Sequence, residues 1–434
     1  MLIQRAVLLD GTRVDIRVGR RILEVADRLA PRRGEDVLDA AGGAALPGLH
    51  DHHLHVRAAA AAMASVHVGP DVVRCRDDLA RLLAGAPVGP DGWIRAVGYH
   101  DAGAGPLDRR VLDELGPPLP VRVQHRSGVL WTLNSPGLDR IGLGEHPDGR
   151  LRSADASWSK ALPRTEPRLA QFSARLSGYG VTAVTDATPD LDRGDIDSLG
   201  EAHRRGELRQ AVHVLAPGKR ILHDDDLDLD ALADWIGARH RDAVPVALHC
   251  VTAAQLVVAL AALRCAGHCP GDRIEHAAVV PADTLAELAG SGATVVTQPN
   301  FVAERGDQYL TDVPAAEHHE LWRVATLRRA GVPVALSTDA PFGDADPWAA
   351  MRAAVRRRSP SGTVLGPDER VPAAEALSMF LGDHDGPAAP RHVRAGAVGD
   401  LCLLSVPPAE ALTELDAGLV AATVIAGAVV YLRG

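Results

Sequence analysis

Lysine is almost absent from this chain of 434 residues: of its 46 basic residues, only Lys160 and Lys219 are lysines. Wherever a positive charge alone serves, the sequence uses arginine, so a retained lysine points to chemistry that needs an amine. Aromatic residues make up 3% of the chain and the net charge is −10. The one dense basic run, Arg356–Arg358, reads as a solvated helix face, so the electrostatic footprint of a nucleic-acid binder is missing. Five cysteines, odd in number and scattered, argue against a disulfide framework. Cys265 and Cys269, in RCAGHCPGD, have no second cysteine pair and are not read as a metal clip. No window offers the roughly 20 apolar residues of a membrane span. The N-terminal MLIQRAVLLDGTRVDIRV alternates apolar and polar residues and lacks the apolar core of a signal peptide. These absences predict a cytoplasmic protein whose partner is a small-molecule substrate, with neither nucleic acid nor membrane; a homo-oligomer is left open.

What is present is patterned. Residues 1–46 hold short alternating runs (RAVLLD, VDIRVG, RILEVAD), and residues 386–434 answer with GDLCLLS and AATVIAGAVVYLRG, which predicts a small β-sandwich built from both termini. Over 176–385 apolar strands alternate with helix-length segments, the signature of a parallel sheet covered by helices. With residues 47–58 as first strand, the pattern predicts an α/β chain of the (β/α)8 TIM-like barrel class. The eighth strand is open. KRILHD at 219–224 follows QAVHVLAP too closely for a parallel crossover, and WIRAVGYH and the run through VRVQHRSGVLWTLN are other candidates. Both lie in residues 59–175, a Pro- and Gly-punctuated insertion expected over the barrel mouth.

The stretch LPGLHDHHLHV, residues 46–56, crowds four histidines into a hydrophobic setting where unpaired polar groups are costly. Strand alternation puts His53 and His55 on one side and His52 on the other. His249, His276 and Asp339 each end a later apolar strand, at the barrel end that carries active sites. Lys219 completes the set chemically. Its carbamate with CO2 would bridge two divalent cations, one held by His53 and His55 and the other by His249 and His276, through nitrogen and oxygen donors suited to zinc.

PGLHDHHLH with the later HC, IEH and STDAP resembles the amidohydrolase superfamily. RVQHRSGVLWTLNS, GVTAVTDA, RIEHA, VVTQPNF and DAPFGDADPWAAMRAAV are similar to its family-3 branch, which includes deformylases of N-substituted formamides. The resemblance spans nearly the whole chain. It implies hydrolysis of a C–N bond in a small amide, formamide or cyclic amide, at a centre of one or two divalent metals. It further implies His53 and His55 as first-metal ligands, Lys219 as a carbamate bridge when two metals bind, and His249 and His276 as second-metal ligands. Asp339 becomes both ligand and catalytic general base, passing a proton from water to the leaving nitrogen. Substrate contacts are expected from the insertion, at Tyr99, His100, His125, Trp131 and Asn134, with Arg122 or Arg126 able to pair a carboxylate. The alternative within the superfamily is a one-metal deaminase or lyase; outside catalysis, it is a binding module that kept the barrel.

Overall fold

A computed structural model describes residues 1–153, 156–162 and 168–434, in two compact units. The larger unit joins Met1–Val56 to Leu169–Gly434, and the smaller is Arg57–Arg168.

Within the larger unit the termini form two four-stranded sheets. One has the order Ile22–Ala26, Arg13–Val18, Leu2–Val7, Val37–Asp39, and the other Ala428–Leu432, Val420–Ile425, Leu401–Leu404, Ala45–Pro47. Alternating apolar residues give each sheet one buried face, and Ile3, Val14 and Ile16 of the first share a core with Leu401, Leu403 and Val424 of the second.

Eight further strands are all parallel and lie in two sheets. Ala211–Val214, Val181–Asp186 and Leu49–Leu54 form the first; Lys219–Ile221, Ala247–Cys250, Arg273–His276, Thr294–Thr297 and Val334–Leu336 form the second. Helices such as Arg193–Arg204, Leu229–Arg241 and Ala253–Ala266 connect them. The last begins with a capping box in which Thr252 and Gln255 satisfy each other's backbone N–H groups. The two runs too close for a crossover are both strands. They do not pair with each other, because each is the edge of a different sheet, so residues 215–218 need no helix. The backbones also meet between Leu49–Leu54 and the segment after Val334–Leu336: Asp339 N donates to His53 O at 2.9 Å and His55 N to Ala340 O at 2.8 Å.

The first strand is shorter than residues 47–58. Ala45–Pro47 belongs to a terminal sheet, the parallel strand is Leu49–Leu54, and Val56 already opens a helix, its N–H donating to Asp186 Oδ2 at 2.9 Å. The helix Leu169–Gly178 belongs to the larger unit, so the insertion is shorter than residues 59–175.

The smaller unit has a five-stranded sheet in the order Arg150–Arg152, Leu130–Leu133, Val121–His125, Ile94–Tyr99, Val66–His67. WIRAVGYH and VRVQHRSGVLWTLN therefore build this sheet and not an eighth parallel strand of the larger unit. Among the described residues, no helix is long and apolar enough to cross a membrane.

Gly48 is where the first parallel strand leaves the terminal sheet, and a Cβ there would fall 2.2 Å from Thr182 Cγ2. Gly48→Ala is expected to destabilise the protein by about 1–3 kcal/mol through overpacking. Gly200→Ala, in the open interior of helix Arg193–Arg204, is expected to stabilise by about 0.5–1 kcal/mol. Thermal unfolding of the two variants checks both signs.

Candidate metal centre

The site is assembled from strand ends of the larger unit. His53 lies in the last turn of pleat of Leu49–Leu54 and His55 just beyond it; His249 and His276 come from Ala247–Cys250 and Arg273–His276, and Asp339 from the loop after Val334–Leu336. Ring centroids are 5.6 Å apart for His53 and His55, 4.8 Å for His53 and His276, and 4.4 Å for His249 and His276. Asp339 Oδ1 faces His53 Nε2 at 3.6 Å and His55 Nε2 at 3.5 Å. Ligand atoms of His53, His276 and Asp339 all lie within 4.8 Å of one another.

The other nitrogen of three imidazoles is already engaged. His53 Nδ1 donates to Glu275 Oε2, His55 Nδ1 meets Thr188 Oγ1 at 3.2 Å, and His276 Nδ1 donates to Gln298 Oε1 at 2.8 Å. Gln298 is held in turn by Ser337 Oγ at 2.8 Å. Such partners fix the ring and leave Nε2 available to coordinate. Glu275 is itself anchored by Arg273, whose Nε donates to Oε1 at 2.6 Å and whose Nη2 reaches His52 O at 2.7 Å. Glu275, Gln298 and Thr188 were not among the sequence candidates. The only signal for the first was an acid inside the apolar run RIEHA.

Three backbone positions at the site are strained. His276 and Asp339 have φ of +69° and +56°, and Ala277, next to His276, has +47°. A residue with a β-carbon pays of order 1–3 kcal/mol at a sparsely populated conformation. At His276 this departure from the extended conformation means that strict strand alternation no longer separates it from Glu275.

Burial sets the charges. It holds His53 and His276 well below the usual imidazole range and pushes His249 down to about 3, with the nearby Lys219 charge adding to each effect. All three are neutral imidazoles at neutral pH, the form that coordinates metal. Lys219 is 5% exposed and its amine is pushed down to about 8, chiefly by burial. Lys160 is exposed. Two buried polar atoms in this cluster, Lys219 Nζ and Asp339 Oδ1, have no hydrogen-bond partner. Leaving such atoms unsatisfied is costly, and donors around one tetrahedral ion stand roughly 3.3 Å apart. The donor set therefore fits a divalent cation.

The family model for the amidohydrolase family matches residues 36–431. The chain belongs to that family. An N-substituted formamide deformylase of Arthrobacter pascens is 26% identical over 99% of this chain and 95% of its own length. Two uncharacterised metal-dependent hydrolases have similar folds. That of Pyrococcus furiosus has a TM-score of 0.71 at 20% identity, covering 94% of this chain and 99% of its own; that of Pyrococcus horikoshii OT3 has 0.73 at 18%, covering 94% and 97%. As an amidohydrolase of the family-3 branch, the protein is a metal-dependent hydrolase acting on carbon–nitrogen bonds.

The residues expected to touch substrate all lie in the smaller unit. Two are committed to holding that unit together. Asn134 Oδ1 accepts from Val121 N at 2.8 Å and Gly137 N at 3.0 Å while its Nδ2 donates to Leu119 O at 2.8 Å, so it caps a helix and ties a strand. Tyr99 is 2% exposed in the unit's core and its hydroxyl donates to Gly105 O. The guanidinium of Arg122 lies between the Trp93 and Trp131 rings, at 5.6 and 5.7 Å, with Asp91 at 4.0 Å. Trp131 packs on Trp158 and under Arg95. His100 and His125 are ring neighbours at 5.2 Å.

Glu275→Gln keeps the shape of the group behind His53 but removes its charge. The expected result is a 10–100-fold loss of metal affinity, read by zinc titration of the metal-stripped protein, with Glu304→Gln as a comparison that leaves affinity unchanged.

Proposed function

We propose that the protein hydrolyses the C–N bond of a small amide, formamide or cyclic amide, at a centre of two zinc ions in a (β/α)8 barrel formed by the two parallel sheets. The observation that carries this is the approach of His53 and His55 Nε2 to one unpartnered oxygen of Asp339. His53, His55 and Asp339 would hold one ion, His249 and His276 the other, and carboxylated Lys219 would bridge them. Bound there, zinc supplies Lewis acidity, which activates water at neutral pH and polarises a carbonyl.

The chain's own groups do the rest. Asp339 accepts the proton of the attacking water and delivers it to the departing nitrogen, as base and then acid. Its left-handed backbone and the Asp339 N to His53 O bond hold that carboxylate against the imidazoles. Glu275, Gln298 and Thr188 keep the three rings from turning. The neutral Lys219 amine, once its ammonium has lost a proton, reacts with CO2 to give a carbamate and one further proton, so the buried, unpaired group becomes an anionic donor. The deformylase of Arthrobacter pascens is the relative that makes N-substituted formamides the first substrates to test.

Lys219→Arg keeps the charge but forms no carbamate. It is expected to lose one metal per chain and most turnover of N-substituted formamides, whereas Lys160→Arg changes neither. Metal analysis and steady-state rates on both variants decide the matter. Full metal content and full turnover in Lys219→Arg would replace the two-metal account by a one-metal centre.

A further inference from the structure

A buried donor set left unused by this chemistry lies at the opposite end of strand Arg273–His276. Asp272 immediately precedes that strand, and its carboxylate is 1% exposed. Oδ1 accepts from His240 Nε2 at 3.0 Å and Val246 N at 2.9 Å. Oδ2 accepts from Cys269 N at 2.9 Å and faces His268 Nδ1 at 3.7 Å. His240, Cys269 and Asp272 offer three ligand atoms that all lie within 4.8 Å of one another. The buried carboxylate thus meets an imidazole at each oxygen and a thiol beside it.

We infer that His240, Cys269 and Asp272, with His268 as the fourth donor, form a structural zinc site separate from the catalytic centre. Cysteine, histidine and aspartate are the residues that bind zinc, with bonds of about 2.0–2.3 Å. Donors stand roughly 3.3–3.8 Å apart around a tetrahedral ion; the atoms of His240, Cys269 and Asp272 lie within 4.8 Å of one another, and His268, with Nδ1 3.7 Å from Asp272 Oδ2, would turn in to complete the four. The charges balance: thiolate and carboxylate neutralise the dication, and the imidazoles stay neutral. Among the described residues, the hydrogen bond of Cys269 Sγ is a 3.8 Å contact to Pro270 O, a weak competitor for the sulfur. His240 lies in the last turn of the 13-residue helix Leu229–Arg241, whose C-terminal carbonyls favour a cation. Each donor on its own has an ordinary role, His240 as an imidazole bonded to a carboxylate and Cys269 as a loop thiol. Their meeting is what assigns the ion.

The functional consequence is mechanical. An ion here clamps the end of helix Leu229–Arg241 to the loop that launches Arg273–His276, the strand carrying both Glu275 and His276. The test uses the whole protein, stripped of metal and reloaded with cobalt(II) or zinc under reducing conditions. The parent is expected to bind one metal per chain more than Cys269→Ser and more than His240→Ala, and to show thiolate-to-cobalt absorption that Cys269→Ser loses. Cys265→Ser, in the last turn of helix Ala253–Ala266 and exposed, is expected to match the parent in both readouts. Because the comparison is between variants, the count at the catalytic centre cancels, and failure here leaves the proposed activity standing. Equal metal content and equal absorption in the parent and Cys269→Ser would overturn the site.

Discussion

The buried carboxylate of Glu275 is the constraint on which the centre depends. It is fully buried, with Arg273 donating to both oxygens and His53 meeting Oε2, and the same guanidinium continues to the backbone of His52. An isolated charge at that depth would be untenable, and removing one member of such a network costs about 3–5 kcal/mol because its partner is left unpaired. Met from both sides, the carboxylate joins strand Leu49–Leu54 to strand Arg273–His276. It also settles which nitrogen of His53 carries the proton. The orientation of the ring, its tautomer and the spacing of the two strands are therefore one decision, taken by a residue with no exposure to solvent.

Around that point the other donors are placed by backbone ties. Asp339 and Ala340 bond to His53 and His55 through their main chains, and Asp51 accepts from Thr338 N at 3.1 Å. The loop that carries the acid is thus laid directly along the strand that carries the first two imidazoles. The left-handed φ at His276 and Asp339 is the cost of this arrangement: both side chains are turned to a direction that extended backbone does not provide. A donor set that must converge from four strand ends leaves few relaxed alternatives.

Much of this was legible in the residues. A ligand-type residue at the end of each apolar run marked His53, His249, His276 and Asp339, because strand ends are positions the sequence pattern locates. The scarcity of lysine singled out Lys219, and the structure finds it buried while Lys160 is exposed. Glu275 was hidden by the same logic that found His276: neighbours on a strand are assigned to opposite faces, and nothing in RIEHA announces the positive φ that breaks the alternation. The eighth parallel strand was obscured because the crossover rule applies to strands of one sheet, whereas Ala211–Val214 and Lys219–Ile221 are edges of two. Asn134 and Tyr99 were named as substrate contacts because they lie in the insertion; what the sequence pattern does not carry is their bonding within that unit, where Asn134 caps a helix and ties a strand and the Tyr99 hydroxyl bonds Gly105 O. The spatial neighbours of Cys269, His240 from helix Leu229–Arg241 and Asp272, cannot be found by a search for cysteine pairs, because they come together only in the fold.

The central claim is that the Nε2 atoms of His53 and His55 share an ion with Asp339. Crystals of the zinc-loaded protein, measured on both sides of the zinc absorption edge, test it most directly. The account predicts an anomalous peak about 2.0–2.1 Å from both Nε2 atoms, with Asp339 Oδ1 in the same coordination sphere and Glu275 still on His53 Nδ1. A zinc-loaded crystal with no peak between these three residues would contradict it.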